Sequence, residues 1–212
     1  MLLFDGAFHT DTIGYAGGLW VLWNADRVGL ALLSSTEQEI HAKVKVRFTN
    51  ASWLYSVVYA SHKNAERQVL WKNLMSVADL HNMPWVIVDD FNKPLLSEDK
   101  FGGRAVSVNR SLLFKECLDK CNMMDIGFAG PVSLVQIEGR FNLIQERIDR
   151  YFVNLNWCVL YPDAKITHLT WYHSDHCPVL LELQSRTQNG RSRPFRFQTV
   201  WLLNPSFFPI VH

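Results

Sequence analysis

Three stretches of the chain set oxygen or nitrogen donors against apolar runs: VIVDDFN (86–92), ERIDRYFV (146–153) and YHSDHCPVLLEL (172–183). In the first, alternation along an extended strand sends Asp89 and Asp90 to opposite faces, so only one of them easily shares a site with Asn92. In the second, Asp149 stands between Ile148 and Arg150 beside a β-rich apolar stretch. In the third, Asp175 and His176 immediately precede a run of strand formers. If these strand ends converge, they gather Asp90, Asn92, Asp149, Asp175 and His176. Carboxylate and amide oxygens suit Mg2+ or Mn2+. A divalent ion neutralises phosphate charge, a carboxylate deprotonates or orients water, and an imidazole held by an Asp moves a proton. Such a set is equipped for phosphodiester hydrolysis.

Each stretch also has a plainer reading. DDFN is rich in turn formers. Asp149 beside arginines fits a surface ion pair. Ser-Asp-His before a strand fits a simple loop, and Tyr59, which closes the strand before SHKN, fits a packed aromatic. The remaining histidines show no partner pattern. A serine relay is excluded for Ser174, Asp175 and His176, because contiguous residues cannot each orient the next. There is no nucleophile elbow, P-loop or dinucleotide fingerprint.

The elements that must position these residues follow from periodicity. AGGLWVLWN, VGLALLS and WVIVD read as buried strands. IHAKVKVRF (40–48) alternates, with Ile40, Ala42, Val44, Val46 and Phe48 on one face and His41, Lys43, Lys45 and Arg47 on a wet one. WLYSVVYA (53–60) follows a turn signal and extends the meander. From Ala65 to Leu80 the apolar residues adopt helical spacing, with Asn64 as the expected cap, and Pro84 ends the segment. Asn109 is the expected cap of a second helix carrying Leu113, Phe114, Cys117, Leu118 and Cys121. Short strands are expected around FNLI, RIDRYFV, AKITHLT and CPVLLEL. At least eight strands with interleaved helices predict an α/β fold in which two stacked mixed sheets are flanked by helices.

The 212 residues suit one domain and a tail, and 48% hydrophobic content supports a sizeable core. Net charge is +1, so the chain as a whole is not a generic polyanion binder. The charge is uneven. From Gln184 onward Arg186, Arg191, Arg193 and Arg196 meet no acid, so a basic tail follows a mildly acidic body. Cys117, Cys121, Cys158 and Cys177 form no C-x-x-C pair, which favours free thiols over zinc and a reducing compartment, nuclear or cytoplasmic. The N-terminus does not resemble a signal peptide, and no apolar run approaches a membrane span.

The order GGLWVLWN, VVYAS, ERQVLW, PWVIVDDFN, FGG, ERIDR, HLTWYHSDHCPVLLEL resembles the endonuclease/exonuclease/phosphatase family. It looks most like the endonuclease domain of plant LINE-type retrotransposon polyproteins. The match runs from about Gly17 to the C-terminus, and the tail RPFRFQTVWLLNPSF is similar to the segment leading to a reverse transcriptase. The resemblance implies a four-layer α/β sandwich and Mg2+- or Mn2+-dependent cleavage of DNA, with DNA or RNA as the nucleic-acid partner. On matching positions it implies that Asp90 activates water and also binds metal, and that Asn92 orients water and phosphate. Asp149 would orient the imidazole, Asp175 would lie near the metal and His176 would stabilise the transition state. Tyr59 would contact the scissile phosphate.

Three departures accompany the match. The family's opening strand, helix and Glu-bearing strand have no counterpart here, which reads as truncation at the N-terminus and a weakened metal site. Asp89 stands where the family has glycine, and VSLVQ (132–136) replaces an aromatic-rich stretch. The expected organisation is an incomplete domain over 1–183 and a basic linker over 184–212. The expected function is a metal-dependent phosphodiesterase, with an inactive remnant or nucleic-acid-binding module as the alternative.

Overall fold

The run Trp85-Val86-Ile87-Val88 is apolar on both faces because its strand lies inside the largest sheet, covered on either side. The structure, a computed structural model, describes residues 4–13, 16–92, 99–102, 108–128, 135–138, 142–169 and 178–183. In chain order its elements begin with β1 (Gly6–His9), β2 (Thr12–Ile13), β3 (Ala16–Gly17), β4 (Trp20–Trp23) and β5 (Val28–Thr36). They continue with β6 (Glu39–Val46), β7 (Ser52–Tyr59), α1 (Asn64–Leu80), β8 (Trp85–Asp90), β9 (Lys100–Phe101) and α2 (Val108–Lys120). Then come β10 (Met123–Asp125), β11 (Val135–Glu138), β12 (Asn142–Glu146), β13 (Asp149–Asn154), α3 (Leu155–Leu160), β14 (Lys165–His168) and β15 (Val179–Glu182).

Six strands form one mixed sheet in the order β10-β13-β8-β7-β6-β5. Only β7 and β8 run parallel, because α1 carries the chain back between them. The remaining neighbours are antiparallel. Smaller antiparallel pairs join β1 to β4 and β14 to β15. The architecture is thus a mixed α/β fold in which helices and further small sheets accompany a six-stranded sheet. No helix among the described residues is long and apolar enough to cross a membrane.

Alternation splits the core in two. On one face Leu54, Val58, Trp85, Ile87 and Phe152 meet Leu70, Trp71 and Leu74 of α1 and Phe114 and Cys117 of α2. On the other face Val57, Val86, Val88 and Val153 meet Val21 of β4, Trp157 of α3 and Leu181 of β15. Each fully buried large apolar side chain contributes roughly 1.5–3 kcal/mol. Asn154 joins the layers: its Oδ1 accepts from the Trp85 and Trp157 amides, and its Nδ2 donates to the Met83 carbonyl. It thereby caps α3 and ties the start of β8 to the end of β13.

Several local expectations change. The residue before α1 is Lys63, with no side-chain cap, and Asn64 lies inside the helix, where Arg67 donates to its Oδ1. Asn109 falls within α2. His41 is buried, not wet, because α1 covers this end of β6. Asn73 donates to Glu39 Oε1, and His41 Nδ1 lies 2.6 Å from Ser56 Oγ, which also accepts from Trp85 Nε1. Lys43 and Lys45, beyond that cover, are exposed as expected. Phe48 lies past the end of β6 and is 82% exposed. Near the N-terminus β1 pairs with β4, Phe8 packs on Trp23, and Asp5 Oδ1 accepts from the Ala25 amide.

Candidate active site

At the ends of three adjacent strands, Tyr59, Asp90 and Asp149 occupy one row. Tyr59 is the register partner of Asp90 across the parallel pair, and Asp149 is the partner of Asp90 across the antiparallel pair. Directly opposite residues project from the same face of a sheet, with Cβ atoms about 4.5–5.5 Å apart in an antiparallel pair. The next row inward is Val57, Val88 and Tyr151, so the acids continue the face that β4, α3 and β15 cover. Asp90 and Asp149 are both buried, at 4% and 6% exposure, and Tyr59 is half-buried. Burying two carboxylates side by side is unfavourable unless hydrogen bonds or cations meet them.

The turn after β8 explains how DDFN is both a turn and a site. The Asn92 amide donates to Asp90 Oδ1 at 2.6 Å, and Asn92 Nδ2 donates to the Ala60 carbonyl at 2.7 Å. Asn92 has φ +50°, a left-handed conformation that asparagine tolerates better than most residues. The Ala60 amide donates to the Asp90 carbonyl, and the Phe91 amide donates to the Ile148 carbonyl. Phe91 is fully buried among Trp71, Phe114 and Phe152. Its side chain anchors the turn on the helical face while Asp90 is presented on the other. The side chain of Asp89 lies outside the described residues.

Arg150 points away from Asp149 by the same alternation. It binds Asp99 and, at 2.6 Å, Asp125 Oδ2, while Arg147 donates to Asp125 Oδ1 at 2.8 Å. These flanking arginines form a network with Asp99 and Asp125, and Asp149 itself is buried. The sequence reading missed this network. Its one visible signal was Asp125 ending an apolar segment, as Asp90 does.

Asp175 and His176 fall outside the described residues, as does Cys177. The ends of their segment are described. The Leu169 amide donates to the Pro178 carbonyl where β14 and β15 meet. His168, treated as background in the sequence, is buried and stacks on Phe128 at 4.6 Å, and Arg147 covers the same ring at 4.5 Å. The base of the segment that carries Asp175 and His176 is therefore fixed close to Arg147, two residues before Asp149. The structure brings together Tyr59, Asp90, Asn92 and Asp149.

Among the described residues no group of three His, Cys, Asp or Glu gathers as a metal cage. The donors that do gather are hard oxygens. Two buried carboxylates on one face fit a small divalent cation, since Mg2+ commonly uses one or two carboxylates and keeps water for the rest.

No family model matches the chain, and no curated protein sequence matches it. Solved structures do match. The endonuclease domain of TRAS1, a telomere-specific non-LTR retrotransposon, aligns over 86% of this chain and 81% of its own, with TM-score 0.65 and 13% identity. A functionally unknown conserved protein from Enterococcus faecalis V583 aligns over 84% and 77%, with TM-score 0.52 and 18% identity. An endonuclease/exonuclease/phosphatase family protein from Bacteroides thetaiotaomicron aligns over 83% and 74%, with TM-score 0.49 and 14% identity. At identities this low the likeness is one of fold alone: the chain has a mixed α/β fold like that of the TRAS1 endonuclease domain.

Proposed function

We propose that the chain is a divalent-metal-dependent phosphodiesterase that nicks DNA, and that it derives from a LINE-type retrotransposon. The observation that carries this reading is the row of Tyr59, Asp90 and Asp149 on one face, with Asn92 locked behind it. The base of the segment bearing Asp175 and His176 is held near Arg147. Asp90 and Asp175 would hold Mg2+ or Mn2+, which when bound neutralises phosphate charge.

The chain's own residues do the remaining work. Asp90 takes a proton from the attacking water, whose oxygen forms the new bond to phosphorus as the bond to the sugar oxygen breaks, and the departing sugar oxygen takes up a proton from solvent. Asn92 holds that water, its Nδ2 already committed to the Ala60 carbonyl. His176 donates a hydrogen bond to the phosphoryl oxygens, with Asp149 fixing its ring, and Tyr59 lends its hydroxyl to the scissile phosphate. Supercoiled plasmid incubated with the full chain and Mn2+ or Mg2+ tests the reading. Open-circle product that disappears with chelator and falls at least 100-fold in His176→Ala supports it. Plasmid that stays supercoiled with either metal overturns it and leaves a binding module without hydrolysis.

A further inference from the structure

Strands β5 and β6 carry a row of cations on a face that the acidic row does not share. On β6, alternation sets Lys43 and Lys45 on one side, and Arg47 continues that row past the strand end. Register places Ala31 beside Lys43 and Gly29 beside Lys45, and the Arg47 amide donates to the Arg27 carbonyl. Arg27, Lys43, Lys45 and Arg47 are all exposed. Arg47 is held in place: its Nε donates to the Ala25 carbonyl at 3.1 Å, and its guanidinium lies over Gly29, where an added Cβ would stand 3.8 Å from it. Gly29 and Ala31 thus leave a shallow floor beside the cations.

The charge is local. Between Arg27 and Ala65 the only acids in the sequence are Glu37, in the turn joining β5 to β6, and Glu39, which is buried and accepts from Asn73. Asp26 stands beside Arg27 in the turn before β5. The ion pairs among the described residues draw on other cations. Concentrated positive charge on a body of mildly acidic balance marks a surface for a polyanion. Cations two residues apart on a strand repeat at roughly 6.7 Å, close to the separation of neighbouring phosphates along an extended nucleic-acid strand. Next to Arg47, Phe48 stands 82% exposed at the turn into β7, where an unpaired base can stack on its ring. A duplex hides its bases, so the bare ring favours a single strand.

We propose that Arg27, Lys43, Lys45, Arg47 and Phe48 bind single-stranded nucleic acid, the cations along its phosphates and the ring against one base. The site is separate from the acidic row. Lys43 is the register partner of Leu54, which packs under the helices, whereas Tyr59 and Asp90 lie on the opposite face. Ser52, the partner of Lys45, and Tyr59 stand at opposite ends of β7, roughly 23 Å apart. The inference goes beyond the proposed hydrolysis and does not rest on it.

Fluorescence anisotropy of a labelled oligothymidylate of about twelve nucleotides, titrated with the full chain in chelator, tests it. The chelator suppresses metal-dependent cleavage, so the signal reads binding alone. Lys43→Gln combined with Lys45→Gln is expected to weaken binding at least tenfold at low salt. It should also make the slope of log affinity against log salt shallower by roughly 1.4, about 0.7 for each cation removed. Phe48→Ala should weaken binding at least fivefold and leave the slope unchanged. Lys115→Gln combined with Lys165→Gln, which removes two exposed cations elsewhere, should change affinity less than twofold. Circular dichroism verifies that each variant is folded. Equal losses in the two lysine pairs would mean diffuse charge attraction and overturn the proposal. So would an unchanged affinity in Phe48→Ala. Binding to phosphatidylserine vesicles without binding to the oligonucleotide would identify a lipid surface as the partner and overturn it equally.

Discussion

Asp90 of β8 and Asp149 of β13 are direct register partners, both buried, on one face of a sheet whose other face is sealed by aromatic rings. Two carboxylates so placed repel each other when both are ionised and attract a cation that can sit between them and water. Replacing Asp149 by Asn keeps the shape and removes one charge. Because Asp90 and Asp175 would hold the metal, millimolar Mn2+ should stabilise the wild type and Asp149→Asn alike and fail to stabilise Asp90→Asn. Differential scanning fluorimetry reads both.

Asn92 combines a left-handed backbone with a side-chain bond to the Ala60 carbonyl. Asn92→Gly removes only the bond, at a cost of roughly 0.5–1.5 kcal/mol. Asn92→Ala adds a left-handed backbone penalty of about 1 kcal/mol. Urea denaturation should therefore rank wild type above Gly and Gly above Ala. The reverse order for the two variants would mean that the turn does not rely on this conformation.

Asn154 serves three backbone groups at once, on β8, before β8 and in α3. Asn154→Ala leaves buried donors unmet and removes a helix cap, for a combined loss of about 2–4 kcal/mol. The loss should appear as a lower denaturation midpoint. Activity per folded molecule should be unchanged, since Asn154 lies at the opposite end of β8 from Asp90.

Thiol ionisation should limit alkaline stability. The Cys117 thiol is pushed up by its hydrogen bond with Cys121 and by burial, and burial alone pushes Cys158 up. A raised acid in the folded state binds its proton more tightly than in the unfolded chain. Its contribution is full below the ordinary value of 9.0 and is lost as pH rises above it. The urea midpoint should fall from pH 8 to pH 10, and Cys158→Ala should flatten that decline. A midpoint that does not move over this range would contradict the assignment.

The parts of this fold that were legible in the sequence are those whose burial is local and periodic. The run ending at Asp90 reports a strand covered on both faces, and the stripe of α1 and the alternation of β6 each report one face of one element. Contacts made by distant chain were not legible. His41 alternates with lysines, and only α1, arriving more than twenty residues later, makes its position dry. GAFH is too short to carry a period, and it becomes β1 by pairing with β4. LNWCVL continues an apolar strand in the sequence, and the cap from Asn154 turns it into α3. At the site, the choice of Asp90 over Asp89 as the partner of Asn92 followed from alternation alone. That Asp149 stands opposite Asp90 depended on register, which no single strand records. The arginine network around Asp125 was hidden for the same reason.

The measurement that bears most directly on the central claim is single-turnover nicking of supercoiled plasmid in Mn2+ by wild type and Asp90→Asn, with equal folding verified by circular dichroism. The expected result is metal-dependent nicking by the wild type and a loss of at least 100-fold in the variant. Equal nicking by the two proteins would show that the carboxylate at the end of β8 does not handle water and phosphate, and the account would fail.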